Sequence, residues 1–158
     1  MAFQIRNIVP GDFPLLKEFL YEAIFVPEGV APPPKSVVNR PELQIYFADF
    51  GSRAGDLGLV AESGSEVVGM VWCRLMHDYG HLDDDTPSLA LAVREPFRSN
   101  GIGSALLQAM LLLLKQAGYP RVSLSVQKAN RAVHLYRRAG FHPVRETAEE
   151  FLMVAELP

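Results

Sequence analysis

A chain of 158 residues that is 49% hydrophobic carries enough apolar material to bury one core, so a single domain spanning residues 1–158 is expected. One cysteine, Cys73, excludes an internal disulfide and a cysteine-based zinc cluster, and its apolar neighbours give it a packing role. The net charge of −3, an acidic first half and the lack of interleaved aromatics in the basic half count against a nucleic-acid binder.

The amino-terminal MAFQIRNIVPGDF alternates polar and apolar residues and lacks a basic start followed by an apolar run. Phe3, Ile5 and Ile8 begin an extended segment that Pro10-Gly11 ends, and Asp12 is placed to cap a helix with Phe13, Leu16, Phe19, Leu20 and Ile24 on one side. Val26 to Pro41 holds Pro27, Pro32, Pro33, Pro34 and Pro41, so it reads as a loop. A second helix is predicted from near Pro41 through Phe50, where Gly51-Ser52 and Gly55 break it. Leu57 to Glu62 and Val67 to Leu75 flank Ser63-Gly64-Ser65 and form a β-hairpin. A polar loop from His77 to Pro87 leads into a short strand, Ser88 to Val93, and Pro96 stops any extension. Gly101 to Gly118 is a strongly apolar helix, Arg121 to Val126 a strand, and Asn130 to Ala139 a helix that Gly140 ends. Two strands follow, through Val144 and from Phe151 to Leu157. The longest apolar stretch, Ala105 to Leu114, is about half the roughly 20 residues of a membrane span, so no membrane contact and a cytoplasmic location are expected. This order of elements defines a mixed α/β (α+β) sheet with helices against its faces.

Charge is unevenly placed. No Asp or Glu occurs between Pro96 and Arg145, whereas Arg98, Lys115, Arg121, Lys128, Arg131, Arg137, Arg138 and Arg145 are basic. Such a block either faces a polyanion or decorates solvent-facing helices. The stretch LAVREPFRSNGIGSALL favours the first reading, because a strand ending at Val93 runs through glycines into a long helix. Unpaired amides and the positive dipole end of a helix attract phosphate, and glycines let it approach the backbone. The dinucleotide pattern GxGxxG/A fails at Leu106, and the phosphate-loop pattern GxxxxGK[ST] is absent. RxxGxG does fit, as Arg98, Gly101 and Gly103, and Asn130, Ala132, Tyr136 and Gly140-Phe141 follow as N-x-A-x-x-x-Y-x-x-x-G-F.

Over Ser88 to Phe141 these motifs resemble the GNAT superfamily of N-acetyltransferases. The resemblance implies a mostly antiparallel central sheet of six to seven strands flanked by about four helices. It implies acetyl-CoA as cosubstrate, with backbone at Leu91, Ala92 and Val93 along the pantetheine arm. Arg98, Ser99, Asn100, Gly101, Ile102, Gly103 and Ser104 would cradle the pyrophosphate, and Asn130 would contact or order the cofactor. A backbone N–H near Ala92 or Val93 would face the thioester carbonyl. Tyr136 would protonate the departing thiolate, whereas its spacing with Ala132, Val133 and Ala139 describes a core residue equally well. The base stays open among His81, Asp83, Asp84 and Asp85, with His77 and Asp78 nearby. His134 and His142 have no metal-ligand partners at useful spacing, and no metal is expected. The acceptor would be an amine-bearing small molecule or peptide, and the protein a monomer or homodimer. A noncatalytic acyl-CoA-binding module is the alternative, against which the full glycine turn and Tyr136 both argue.

Overall fold

The structure is a computed structural model that describes residues 2–158. Seven strands form one sheet: β1 (Gln4–Asn7), β2 (Leu57–Ser63), β3 (Glu66–Arg74), β4 (Ser88–Val93), β5 (Arg121–Gln127), β6 (His142–Glu146) and β7 (Glu150–Glu156). Their spatial order is β1-β2-β3-β4-β5-β7-β6, and every neighbouring pair is antiparallel except β4 with β5. The four α-helices are α1 (Phe13–Ala23), α2 (Pro41–Gln44), α3 (Ile102–Gln116) and α4 (Ala132–Arg138).

Strand alternation divides the core into two layers. Leu59, Ala61, Val71, Cys73, Leu89, Val122 and Leu124 face Ile102, Leu106, Leu107, Met110 and Leu114 of α3 and Val133 and Tyr136 of α4. Val60, Met70, Trp72 and Ala92 face Leu16, Phe19 and Leu20 of α1. Each of the five buried α3 side chains contributes about 1.5–3 kcal/mol by burial, which fixes the amino terminus of that helix against the sheet. Gly69 on β3 makes room for this packing, since a Cβ there would lie 3.1 Å from Ile102 and 3.0 Å from Leu106. Cys73 is fully buried, and desolvation pushes its thiol up to about 12, so it stays a protonated core residue at neutral pH.

Two local expectations are corrected. Asp12 does not cap α1; its carboxylate accepts the Val9 N–H at 2.9 Å and two bonds from Arg6, and the Arg6 bonds hold its pKa below the usual carboxylate range. The second helix stops at Gln44 rather than Phe50. Beyond it the chain runs through successive turns, and Asp49 adopts φ 53°. The reason lies on β3, because the Trp72 indole donates to Tyr46 O at 2.9 Å and the Arg74 guanidinium to Ile45 O at 2.9 Å and Ala48 O at 2.7 Å. Carbonyls that a helix would spend on its own amides are taken by these buried donors.

Candidate active site

The central strand is paired along the whole of one edge and at a single point on the other. β4 pairs with β3 along its length, from Arg74↔Ser88 to Gly69↔Val93, but meets β5 at one parallel bridge, Ser88↔Ser123. β5 in turn pairs fully with β7. The two parallel strands therefore diverge beyond Ser88 and leave the β5-facing edge of Ala90 to Val93 without a strand partner. The loop between β3 and β4 stands against the start of this opening. Ser123 Oγ donates to Gly80 O at 2.6 Å and Ser123 N to Pro87 O at 3.0 Å. A Cβ on Gly80 would fall 2.6 Å from Ser88 Oγ and 3.0 Å from Ser125 N, so only glycine lets the loop backbone approach both strands.

At the far end of β4 the chain turns into α3. Ser99 (φ 64°) and Gly101 (φ 81°) are both left-handed. Nothing lies within 4 Å of a Cβ on Gly101, so its glycine answers conformation, not space, and a side chain there costs about 1–2 kcal/mol. α3 begins without a side-chain cap, and Ala105 N–H, bonded to Gly101 O at 3.1 Å, is its first amide with a backbone acceptor. The Ile102, Gly103 and Ser104 amides are left open at the positive end of a 15-residue helix. Ile102 itself is a core side chain and offers the site only its backbone. A Cβ on Gly103 would sit 3.6 Å from Leu135 and 3.8 Å from Val93, so the end of β4, the start of α3 and the face of α4 converge at this glycine. Arg98 donates through Nε to Val93 O at 2.9 Å and lies 3.3 Å from Glu22, which ties its side chain to β4 and α1. Asn100 Nδ2 braces the turn by donating to Phe97 O and Arg98 O, both at 3.1 Å.

Tyr136 stands on α4, one residue after Leu135, and packs into the core layer on that side of the sheet. Its ring is 8% exposed and meets Phe141 edge-on at 5.7 Å. Among the described residues its hydroxyl makes no hydrogen bond and Asp78 Oδ1 is the buried side-chain polar atom without a partner, so the phenolic oxygen is not sealed from solvent. Burial pushes the phenol up to about 12, which keeps its proton in place through neutral pH. Asn130 precedes α4, where its Oδ1 accepts the Ala132 N–H at 2.9 Å. Lys115, Arg131, Arg137, Arg138 and Arg145 form no ion pair among the described residues, whereas Arg121 is held by Asp83 at 2.9 Å and Lys128 by Glu146 at 2.5 Å.

Of the candidate bases, Asp83 is committed to Thr86 Oγ1 (2.7 Å), the Asp85 amide (3.0 Å) and Arg121, and those hydrogen bonds, Thr86 first, hold its pKa down. Asp78 is the residue that sequence patterns gave no means of selecting. Its Oδ2 accepts the Ser88 hydroxyl at 2.6 Å beside the β4–β5 bridge, and its Oδ1 is the buried unpartnered oxygen. The Tyr46 phenol is raised by burial first and then by the Asp78 charge, so the two groups are neighbours.

Two diverging parallel strands beside an uncapped, glycine-led helix offer an extended ligand a free strand edge and an anion a helix terminus. The model of the acetyltransferase (GNAT) family matches residues 21–141, and the chain belongs to that family. It is 33% identical over 114 residues to an N-alpha-acetyltransferase from Sulfurisphaera tokodaii, covering 62% of this chain and 68% of that protein. It is 35% identical over 97 residues to the mycothiol acetyltransferase of Propionibacterium freudenreichii, covering 61% of this chain but only 30% of that longer protein. The fold matches the crystal structure of PaiA N-acetyltransferase from Thermoplasma acidophilum in complex with coenzyme A, with TM-score 0.73, 19% identity and 99% of each chain covered. No described helix is long and apolar enough to cross a membrane.

Proposed function

We propose that this chain moves the acetyl group of acetyl-CoA directly onto a primary amine. The observation that carries the reading is the β5-facing edge of Ala90 to Val93, left without a strand partner and leading into the open amides of Ile102 to Ser104. Backbone groups on that edge suit the amide-bearing pantetheine arm, and the helix terminus suits the pyrophosphate. Arg98 fixes the turn by holding Val93 O, and its charge adds to the field felt by the phosphates. Relatives described as N-alpha-acetyltransferases make the α-amine of a peptide the first acceptor to try. The protein is expected to work in the cytoplasm.

Three roles divide among the residues. A backbone N–H near Ala92 or Val93 polarises the thioester carbonyl. Tyr136, kept protonated by burial, donates its proton to the departing thiolate as negative charge builds on sulfur. Asp78, through water, takes the proton that an ammonium acceptor must lose before it attacks.

The test is thiol release from acetyl-CoA with a panel of peptides and small amines, run on wild type and two variants. Wild type should release CoA only when an amine is present. Tyr136→Phe should lose about 10- to 10²-fold in turnover with little change in CoA affinity. Asp78→Asn should lose turnover most at low pH, and the deficit should shrink as rising pH deprotonates the amine without help. Wild-type turnover in Tyr136→Phe would return that ring to a packing role, and CoA binding without release for any amine would mark a noncatalytic acyl-CoA-binding module.

A further inference from the structure

The loop between β3 and β4 brings together three donors that acetyl transfer does not use. His77 Nε2 lies 3.2 Å and His81 Nε2 3.6 Å from Asp84 Oδ1, and the three ligand atoms all fall within 4.8 Å of one another. The imidazoles stack with centroids 4.1 Å apart and planes 27° apart, so both Nε2 atoms reach the same carboxylate oxygen. His81 Nδ1 sits 3.0 Å from Met76 O, a carbonyl that accepts and never donates, so Nδ1 carries the proton. A neutral His81 therefore turns a lone pair on Nε2 toward Asp84. The His81 Nε2 lone pair and the Asp84 carboxylate thus point at one place, and His77 Nε2, whose tautomer no contact fixes, stands beside them to complete a cluster of three ligand atoms.

His77 and Asp84 are 78% and 81% exposed, where an ion pair by itself contributes little. We propose that His77 Nε2, His81 Nε2 and Asp84 Oδ1 bind one divalent transition-metal ion of the zinc class. Ligands of a tetrahedral ion at about 2.0–2.1 Å lie roughly 3.3 Å apart, close to the separations of both imidazoles from Asp84 Oδ1. The Met76 carbonyl supplies the outer-shell hydrogen bond that a metal-bound imidazole requires. Imidazole donors select against Mg²⁺ and Ca²⁺, which want oxygen alone. Leu75 and Met76 join the three ligands around a shallow cavity of about 210 Å³, leaving a coordination position open to water.

The ligands stand on a braced loop. Asp83 is tied to Thr86 and Arg121, Asp78 to Ser88, and Gly80 O to Ser123, so little ordering remains to be done on binding. The same ties run to β4 and β5 beside their single bridge. A bound ion would stiffen that end of the opening, while the acetyl-transfer reading stands or falls without it.

Calorimetric titration of tag-free, chelator-treated protein with Zn²⁺ near neutral pH tests this, with Mg²⁺ as control. The expected result is one saturable site for Zn²⁺ and none for Mg²⁺, a Zn²⁺-dependent rise in melting temperature, and a loss of affinity of about 10-fold or more in each of His77→Ala, His81→Ala and Asp84→Ala. Because His77 and Asp84 are exposed, their variants should melt like metal-free wild type, which separates lost binding from lost folding. Absence of a saturable site, or a site that survives His77→Ala and His81→Ala together, would overturn the proposal.

Discussion

Gly103→Val is expected to weaken acetyl-CoA binding by about 10²-fold or more while the protein remains folded. The figure follows from losing two or three charge-assisted bonds to phosphate, each about 1.5–3 kcal/mol. Space explains why the fold survives. The first carbon added at Gly103 meets Leu135 and Val93 at ordinary contact distances of 3.6 and 3.8 Å, so the backbone need not move. The valine methyls beyond it would stand where β4, α3 and α4 converge, closing the approach to the Gly103 and Ser104 amides. Gly101→Val would act differently, through the left-handed φ of 81°, and should cost stability as well as affinity. Calorimetry with acetyl-CoA and a melting curve on the same preparation distinguish the two. A folded Gly103→Val that binds like wild type would mean the cofactor does not use this turn.

The largest stability effect is expected at Arg74→Met, at about 3–5 kcal/mol. Arg74 and Asp56 are both fully buried at the side chain, joined through Nε–Oδ1 at 2.9 Å and Nη2–Oδ2 at 3.1 Å. Phe50 lies 5.4 Å from the guanidinium carbon. Methionine fills much of the volume but strands a buried carboxylate, leaving Asp56 only the Gly51 and Arg53 amides. It also deprives Ile45 O and Ala48 O of their donor. A second change, Asp56→Asn, should return part of the loss by removing the uncompensated charge. Urea unfolding of the single and double variants measures both; a single-variant loss below about 1 kcal/mol would show that the pair is better hydrated than its burial indicates.

The same arginine marks what sequence could not convey. The strands, the hairpin turn and helices α1, α3 and α4 were readable because their apolar spacing and their glycines are local signals. The helix predicted through Phe50 was not, because its carbonyls answer to Trp72 and Arg74, more than twenty residues away in the chain. The glycine turn was legible as a motif, and the structure adds that Gly101 answers conformation whereas Gly103 lies where three elements meet. Asp78 was one acid among several in a polar loop. Only the fold sets it against Ser88 with an unpartnered oxygen, and only the fold makes Gly80 the residue that stands between two diverging strands. The cluster of His77, His81 and Asp84 was obscured in the same way, since its convergence depends on the Met76 carbonyl and the path of the loop rather than on spacing.

Hydrogen exchange resolved at single amides, with and without acetyl-CoA, reads directly where the cofactor lies. Binding as proposed slows exchange within Leu91–Val93 and Ser99–Ser104 and leaves β1, β2 and β6 unchanged. Exchange unaltered in both segments at saturating acetyl-CoA, or protection confined to another part of the sheet, would contradict it.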